Sequence, residues 1–111
     1  MKIIIAVIQP FMLNRVTCAL EEIENFPGIT VSDVRGFGRR LDRAGNRINT
    51  LNPYKPKAQI EIVAPNELVD SIVATIQKHA HTGNHGDGKI FVWDVEKAVR
   101  VQTGEMGEAA L

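Results

Sequence analysis

The chain has 111 residues, 13 basic and 13 acidic side chains that cancel at pH 7, and one cysteine. This length fits one domain, the zero net charge gives no reason to expect nucleic acid as a partner, and the lone Cys18 excludes an intramolecular disulfide. The apolar N-terminal run KIIIAVI is too short for a membrane span, and no cleavage site follows it. The sequence therefore predicts a cytoplasmic protein that is not inserted in a membrane.

The first half of the chain predicts strand, helix, strand and then a long loop. An apolar, β-branched run predicts a strand over residues 1–9 that is buried on both faces. A repeat of Leu13, Val16, Leu20 and Ile23 at helical spacing predicts a helix from residue 11 that ends at Pro27 and Gly28. Residues 29–34 predict a second strand, and the polar stretch that follows has no periodicity.

The second half repeats the same order. Alternating apolar residues predict a third strand over 58–64, and Asn66 is predicted as the N-cap of a helix with an apolar stripe. A glycine-rich segment follows, and residues 90–95 predict a fourth strand. The order predicts an α+β fold of the ferredoxin-like type, βαββαβ, with an antiparallel sheet and both helices on one face.

The fourth strand predicts that the chain assembles with copies of itself. Phe91, Trp93 and Val95 alternate with Ile90 and Val92, so both faces of this strand are apolar. Because the helices cover one face of so small a sheet, the other face needs a cover, which indicates an oligomer.

The glycine-rich segment contains Gly83, Gly88 and Lys89 in the spacing G-x-x-x-x-G-K of a phosphate-binding P-loop. Ile90 stands where that motif needs Ser or Thr, and the order of helix, glycines and strand is reversed, so a P-loop is excluded. The backbone N–H groups of such a loop can still converge on an anion beside Lys89. The alternative is a helix C-cap at Gly83 followed by a tight turn.

A second glycine segment, Gly36-Phe37-Gly38-Arg39, lies at the end of the predicted second strand. It permits close approach of a ligand to the backbone, or it forms a β-bulge. Two glycine segments with adjacent cations at the ends of strands favour an anion-binding site.

The loop after the second segment carries six basic residues and one acid between positions 39 and 57, an excess of five positive charges. Such a run is often only a solvated surface. Its length favours a functional segment, and we expect residues 40–55 to dock on an acidic surface of a partner.

With the motifs IQPF, GFGR, TGNHGDGKIFVWDVEKAVRV and TGEMG, the chain resembles the PII family of nitrogen-regulatory signal proteins over essentially its whole length. The resemblance implies a single PII-like domain over 1–111 with a T-loop at about 39–57, a B-loop at about 82–89 and a C-loop at about 100–107. It implies a ferredoxin-like homotrimer that binds ATP or ADP between subunits. It also implies that the T-loop regulates a target protein, such as a membrane transporter or its regulator.

The resemblance assigns the nucleotide site residue by residue. The B-loop matches the segment that cradles phosphates, the second glycine segment matches the base of the T-loop, two strand residues flank the adenine, and one arginine reaches the phosphates of a neighbouring subunit. These residues are Gly36, Phe37, Gly38, Arg39, Ile62, Val63, Gly86, Asp87, Gly88, Lys89 and Arg100.

The chain departs from the family pattern at Arg40, at Gln102 and at the tyrosine of the loop. Arg40 replaces a glutamine that helps to hold magnesium and 2-oxoglutarate, which argues against a bound magnesium because a guanidinium cannot coordinate a cation. Lys57 matches the lysine that meets the 2-oxoglutarate carboxylate, so Arg40 and Lys57 are candidates to bind a small anion such as bicarbonate. Gln102 replaces a second phosphate-binding arginine, and Tyr54 is not in the place of the modified loop tyrosine.

These departures leave open a divergent PII-like protein that regulates metal or bicarbonate transport and senses nucleotide without 2-oxoglutarate. A small metal-dependent or ATP-hydrolysing enzyme is the alternative from another class, with His79, His81 and His85 as conceivable metal ligands. A trimer without a ligand is a third alternative. No catalytic residue or metal ligand is assigned, because no general base or nucleophile stands out and solvated histidines are the simpler interpretation.

Overall fold

The computed structural model of the chain describes residues 1–38, 44–46 and 53–111. Most of the predicted T-loop, including Arg39 and Arg40, lies outside the described residues. The elements are β1 (Lys2–Ile8), a 3-10 turn (Pro10–Met12), α1 (Leu13–Glu21), β2 (Thr30–Gly36), β3 (Lys55–Ala64), α2 (Asn66–Ala80), β4 (Gly88–Asp94) and a second 3-10 turn (Gly107–Ala110).

The four strands form one antiparallel sheet in the order β2-β3-β1-β4. Both helices bury their apolar stripes against the same face of this sheet, with Val16 and Leu20 of α1 beside Ile72 and Ile76 of α2 in one core. Burial of these side chains is the main stabilising contribution to the fold. The predicted ferredoxin-like α+β fold is confirmed.

The two faces of the sheet differ because successive side chains of a strand point to opposite sides. Ile4, Ala6 and Ile8 of β1 are buried under the helices, whereas the alternate residues Ile3, Ile5 and Val7 are only half-buried, so the predicted burial on both faces is wrong for the single chain. Ile3 pairs with Trp93 and Ile5 with Phe91, and both aromatic side chains are 51% exposed. We call this helix-free side the open face; its apolar surface is partly in contact with solvent.

The first helix is shorter than predicted. The chain passes from a 3-10 turn at Pro10–Met12 into α1, which ends at Glu21. The turn that follows has i→i+3 hydrogen bonds from the Ile23 and Phe26 N–H groups and places Asn25 at φ +61°. Ile23 and Phe26 still pack on the core from this turn. Their apolar side chains continue the spacing of the helix, which is why the sequence predicts a helix longer than α1.

Other boundaries also differ. The Asn66 prediction was wrong, because Pro65 is the N-cap and Asn66 the first residue of α2. Strand β3 begins at Lys55, three residues earlier than predicted, because its ladder with β2 continues to the pair Gly36 and Lys55. Strand β4 begins at Gly88 rather than at residue 90, since Gly88 pairs with Ile8.

The C-terminal segment after β4 forms a small antiparallel unit. Val99 and Met106 make an isolated bridge, and the Gly107 N–H donates to the Ala98 carbonyl at 2.9 Å.

Within the described residues, no helix combines the length and the apolar character that a membrane span requires.

Gly88 and Gly28 provide a matched test of why β4 begins with glycine. Their φ angles are +114° and +113°, but a Cβ on Gly88 would lie 1.7 Å from the Val7 carbonyl oxygen, while a Cβ on Gly28 would meet nothing within 4 Å. Both Gly→Ala variants share the cost of a positive φ, and Gly88→Ala adds a clash with backbone. We expect Gly88→Ala to lower the free energy of unfolding by about 1–3 kcal/mol more than Gly28→Ala, the usual range for overpacking. Equal losses in urea denaturation would contradict this.

Candidate anion-binding site

The loop between α2 and β4 spans residues 81–87. Helix α2 ends at Ala80, and its C-cap residue His81 has an extended backbone. Gly83 therefore lies inside the loop rather than at the helix end, with φ +87°. We call residues 82–89 the B-loop, as in the sequence prediction, and note that its last two residues belong to β4.

Asp87 holds the B-loop together from inside. Its carboxylate accepts hydrogen bonds from the Thr82 N–H at 2.7 Å, from the Gly83 N–H at 2.9 Å and from the Thr82 hydroxyl. The Thr82 hydroxyl oxygen in turn accepts from the Asn84 N–H at 3.1 Å. Both carboxylate oxygens are thus engaged by the loop itself, so Asp87 shapes the loop instead of projecting toward a ligand.

These contacts lower the pKa of Asp87. The hydrogen bond from the Thr82 side chain is the largest cause, followed by the one from the Thr82 backbone. His81 Nδ1 lies 3.8 Å from the Asp87 carboxylate and contributes less. Because hydrogen bonds to the charged form favour it, the carboxylate stays ionised well into the acidic range and the loop keeps its internal acceptor.

Lys57 reaches the B-loop from β3. Its Nζ donates to the Gly86 carbonyl at 2.6 Å, across 29 residues of chain. A Cβ on Gly86 would lie 3.2 Å from Gln9 Nε2 and 3.3 Å from Lys57 Nζ, so two nitrogen donors crowd the same side of the loop. The end of β1 and the beginning of β3 therefore both support this part of the B-loop.

The second glycine segment lies at the same end of the sheet. Gly36 is the last residue of β2 and pairs with Lys55. The Phe37 ring contacts the Tyr54 ring with centroids 5.8 Å apart and planes tilted by 51°, which closes the ladder where the chain enters and leaves the predicted T-loop. Gly38 is exposed, and Arg39 lies outside the described residues.

The strand register brings the cations of the site together on the open face. Ile8 pairs with both Ala58 and Gly88 on the two strands that flank β1. Lys57 follows Ala58 toward the end of the sheet, and Lys89 lies one pair further in, opposite Val7. Both share the face of Val7, which pairs with Lys89. Both lysines therefore lie on the open face near the B-loop, on either side of β1.

The predicted adenine-flanking residues lie deeper in the sheet. Ile62 is 1% exposed and faces the helices, so its side chain belongs to the core. Val63 is the neighbour that faces the open side, where it pairs with Ile3. Of the two side chains, Val63 is therefore the one that lies on the open face, five pairs away from Ala58.

Arg100 is engaged within the C-terminal segment. Its guanidinium donates to the main-chain oxygens of Leu111 at 2.8 Å and Ala110 at 3.4 Å, and it lies 3.9 Å from the Glu105 carboxylate. The Arg100 N–H also donates to the Glu105 carbonyl, and the Arg100 carbonyl accepts from the Gly104 N–H, both at 2.8 Å. The C-loop is thus folded around this arginine within one chain.

Two residues of the site were missed by sequence reasoning. Thr82 could have been predicted from a local pattern, because its hydroxyl lies five residues before Asp87 in a glycine-rich loop. Gln9 has no such signal, because its contact depends on how β1 ends beneath Gly86.

Beneath the loop, on the helix side, a shallow cavity of about 280 Å³ has an apolar floor that includes Ile76 and Ile90.

The histidines do not form a metal centre in the part of the chain that the structure describes. No group of three or more potential ligands occurs there. His79 Nδ1 lies 2.9 Å from the Thr75 carbonyl on its own helix, and His81 is the histidine beside Asp87.

The fold and the site together define a ferredoxin-like domain with a structured glycine loop beside two lysines at one end of its sheet. The sequence model of the family "Nitrogen regulatory protein P-II" matches residues 1–105. Nitrogen regulatory protein P-II 1 of Escherichia coli (strain K12) is 44% identical over 113 residues, with all of both chains covered. The P-II proteins of Klebsiella oxytoca and Haemophilus influenzae (strain ATCC 51907 / DSM 11121 / KW20 / Rd) are 43% and 42% identical, also over the full length of both chains.

The chain belongs to the P-II family of nitrogen regulatory proteins. The resemblance inferred from its motifs is confirmed. Proteins of this family are regulatory signalling proteins that act on target proteins, rather than enzymes.

The role of Thr82 predicts how Asp87 titrates. The folded-state pKa of Asp87 is lowered, so the ionised carboxylate stabilises the loop above its ordinary pKa, and this contribution is lost as the pH falls through the lowered value. Thr82→Val removes the hydroxyl donor at similar volume and should raise the Asp87 pKa toward its ordinary value. Thr82→Ser keeps the donor and should leave the pKa low. NMR titration of the carboxyl carbon measures both, and identical titrations in the two variants would show that the hydroxyl is not the cause.

Proposed function

We propose that this protein is an adenine-nucleotide-binding signalling protein that acts in nitrogen regulation. The observation that carries the proposal is the B-loop, which Asp87 closes from inside and Lys57 holds from β3, next to Lys89. A closed loop of this kind orients its backbone dipoles before a ligand arrives, which reduces the ordering cost of binding. The proposed ligand is ATP or ADP, and magnesium is not required by the proposal.

The hydrogen bonds inside the B-loop limit which of its N–H groups are available to a phosphate. The N–H groups of Thr82, Gly83 and Asn84 are used inside the loop. We therefore place the phosphates against residues 85–89, where Lys89 adds a positive charge. Gly36, Phe37 and Gly38 at the end of β2 would contact the same ligand from the other side, and Val63 would face the base.

Lys89 tests the phosphate site directly. Lys89→Ala should weaken ATP and ADP binding by about 1.5–3 kcal/mol, the range for losing a hydrogen bond to a charged group, which is roughly 10- to 150-fold in Kd. Lys78→Ala is a matched control, because Lys78 is an exposed lysine on α2. Calorimetry measures both variants, and equal affinities for wild type and Lys89→Ala would refute the assignment.

The open face supports the proposal of a homotrimer. Phe91 and Trp93 are each half exposed there, next to the half-buried Ile3 and Ile5. Large exposed apolar surfaces usually mark interaction sites. Assembly through this face would cover them. The family resemblance further implies that Arg100 would reach the nucleotide of a neighbouring subunit, in exchange for its contacts within the C-terminal segment.

Trp93→Lys tests the assembly, because it puts a charge into the proposed interface and should convert the trimer to monomers at micromolar concentration. Phe11→Lys is the control, since Phe11 is 73% exposed and lies outside the sheet. Light scattering with detection of mass separates the species. A monomer mass for the wild type, or a trimer that persists in Trp93→Lys, would overturn this interface.

We propose that the protein regulates a target protein in the cytoplasm, such as a transporter or its regulator, by binding it through residues 40–55. Residues 40–43 and 47–52 of this segment lie outside the described residues, so the support comes from the sequence, which has an excess of five positive charges between positions 39 and 57. Arg40 and Gln102 favour a variant of this function in which nucleotide is sensed without 2-oxoglutarate, as in regulation of metal or bicarbonate transport. Saturable, magnesium-dependent binding of 2-oxoglutarate in calorimetry would exclude that variant.

A further inference from the structure

We propose that the cavity beneath the B-loop binds a small organic ammonium ion, a compound with one charged amino group on a short aliphatic body. The cavity lies on the helix side of the sheet and has a volume of about 280 Å³. That volume is just below the usual range for pockets that hold drug-sized molecules, so it suits a short chain. The proposal does not depend on nucleotide binding, because Lys89 pairs with Val7 and therefore directs its side chain to the opposite, open face.

The floor of the cavity is apolar and is built from regular secondary structure. Ile8 ends β1, Ile76 and Ala80 lie in the last two turns of α2, and Ile90 of β4 pairs with Ala6 on the helix side. Ile8, Ile76 and Ala80 are buried in the core. An aliphatic body on this floor is favoured because it removes apolar surface from water.

The end of α2 offers main-chain oxygens to a donor. The last carbonyls of a helix have no partner within it, and N–H groups of the following residues usually cap them. Here Thr82 and Gly83 donate instead to the Asp87 carboxylate, and Asn84 donates to the Thr82 hydroxyl oxygen. No hydrogen bond between residues that the structure describes uses the main-chain oxygens of residues 78–80 as acceptors. The helix end at the cavity therefore keeps acceptors that a ligand can use.

The charges around the cavity favour a cation. Asp87 lines it, and the Asp87 Oδ1 atom accepts from one donor, the Thr82 hydroxyl, whereas Oδ2 accepts from two N–H groups. A carboxylate oxygen can accept two hydrogen bonds, so Oδ1 can take a further donor. The negative end of the α2 dipole adds to the attraction. His81 lies at the rim, with 61% of its side chain exposed.

An ammonium group matches these acceptors better than a neutral or an anionic group. It carries three donors and no acceptor, whereas the carbonyl oxygens and the carboxylate only accept. A hydroxyl group supplies one donor without charge. A ligand carboxylate would be repelled by Asp87 and by the helix end.

The test uses n-pentylammonium as the probe, n-pentanol as a neutral molecule of the same chain length and pentanoate as an anion. Amide chemical shifts in NMR titrations of the full chain measure all three, at about pH 8 to keep imidazole protonation out of the comparison. We expect saturable shifts with pentylammonium at residues 76–81 and 88–90. Pentanol should bind at least about tenfold more weakly, because the charge-assisted hydrogen bonds are lost, and pentanoate should give no saturable shift there.

Gln77→Phe tests the location, because Gln77 is exposed on α2 and lines the cavity, so that a ring at this position takes the space of the ligand body. It should weaken pentylammonium binding by about tenfold or more, the scale of losing burial of an aliphatic group. Lys78→Phe is the matched control, since Lys78 is the next exposed residue of α2 and does not line the cavity. This variant should bind the probe no more weakly than the wild type.

Three results would overturn the proposal: pentanol or pentanoate binding as tightly as pentylammonium, an unchanged Kd in a folded Gln77→Phe variant, or no saturable shift with pentylammonium in the wild type. If Gln77→Phe does not fold, the wild-type comparison of the three probes and the position of the shifts decide the question. Shifts confined to residues outside 76–81 and 88–90 would then contradict the site.

Discussion

A backbone contact between the end of β1 and the start of β4 determines where the candidate site lies. The Val7 carbonyl occupies the space that any side chain on Gly88 would need. Because Gly88 has no side chain, β4 can begin next to this carbonyl, with Gly88 paired to Ile8. The B-loop therefore lies over the end of β1. That position brings Gly86 within reach of Gln9 and Lys57, and it turns Lys89 onto the open face.

The site must accommodate an acidic side chain next to the proposed phosphates. Asp87 lies between Gly86 and Gly88, and an ionised carboxylate would repel an anion. The structure resolves this conflict by turning the carboxylate into the loop, where Thr82 and Gly83 satisfy it. The negative charge then organises the backbone, while the charges of Lys57 and Lys89 face the open side of the sheet.

Local patterns in the sequence predicted the elements and their order. The alternation in β3 and the stripe of α2 lie where periodicity placed them, because burial on one face is a property of neighbouring residues. The end of α1 was misplaced, since Ile23 and Phe26 pack on the core from a turn and periodicity does not distinguish such a turn from a helix. The start of β3 was missed because the pairing of Lys55 with Gly36 is not visible in either segment alone.

The residues of the candidate site also divide into those that a local pattern predicts and those that depend on contacts between distant segments. Its glycines and Lys89 stand in one short segment, so their spacing alone predicts an anion-binding loop, and the family motifs point to Lys57. The hydrogen bond from Lys57 to Gly86 could not be inferred, because it joins residues 29 positions apart and depends on where β3 and β4 end. Gln9 was missed for the same reason.

The most direct test of phosphate recognition is calorimetry of the unmodified protein with adenosine, ADP and ATP at one salt concentration. If the B-loop and the lysines of the open face supply the binding energy, ADP and ATP should bind and adenosine should bind at least about tenfold more weakly, since charge-assisted hydrogen bonds to the phosphates would be absent. Raising the ionic strength should weaken ATP more than adenosine, because salt screens exposed charges. Binding of adenosine as tight as that of ATP, or no binding of any of the three, would contradict a phosphate-binding B-loop.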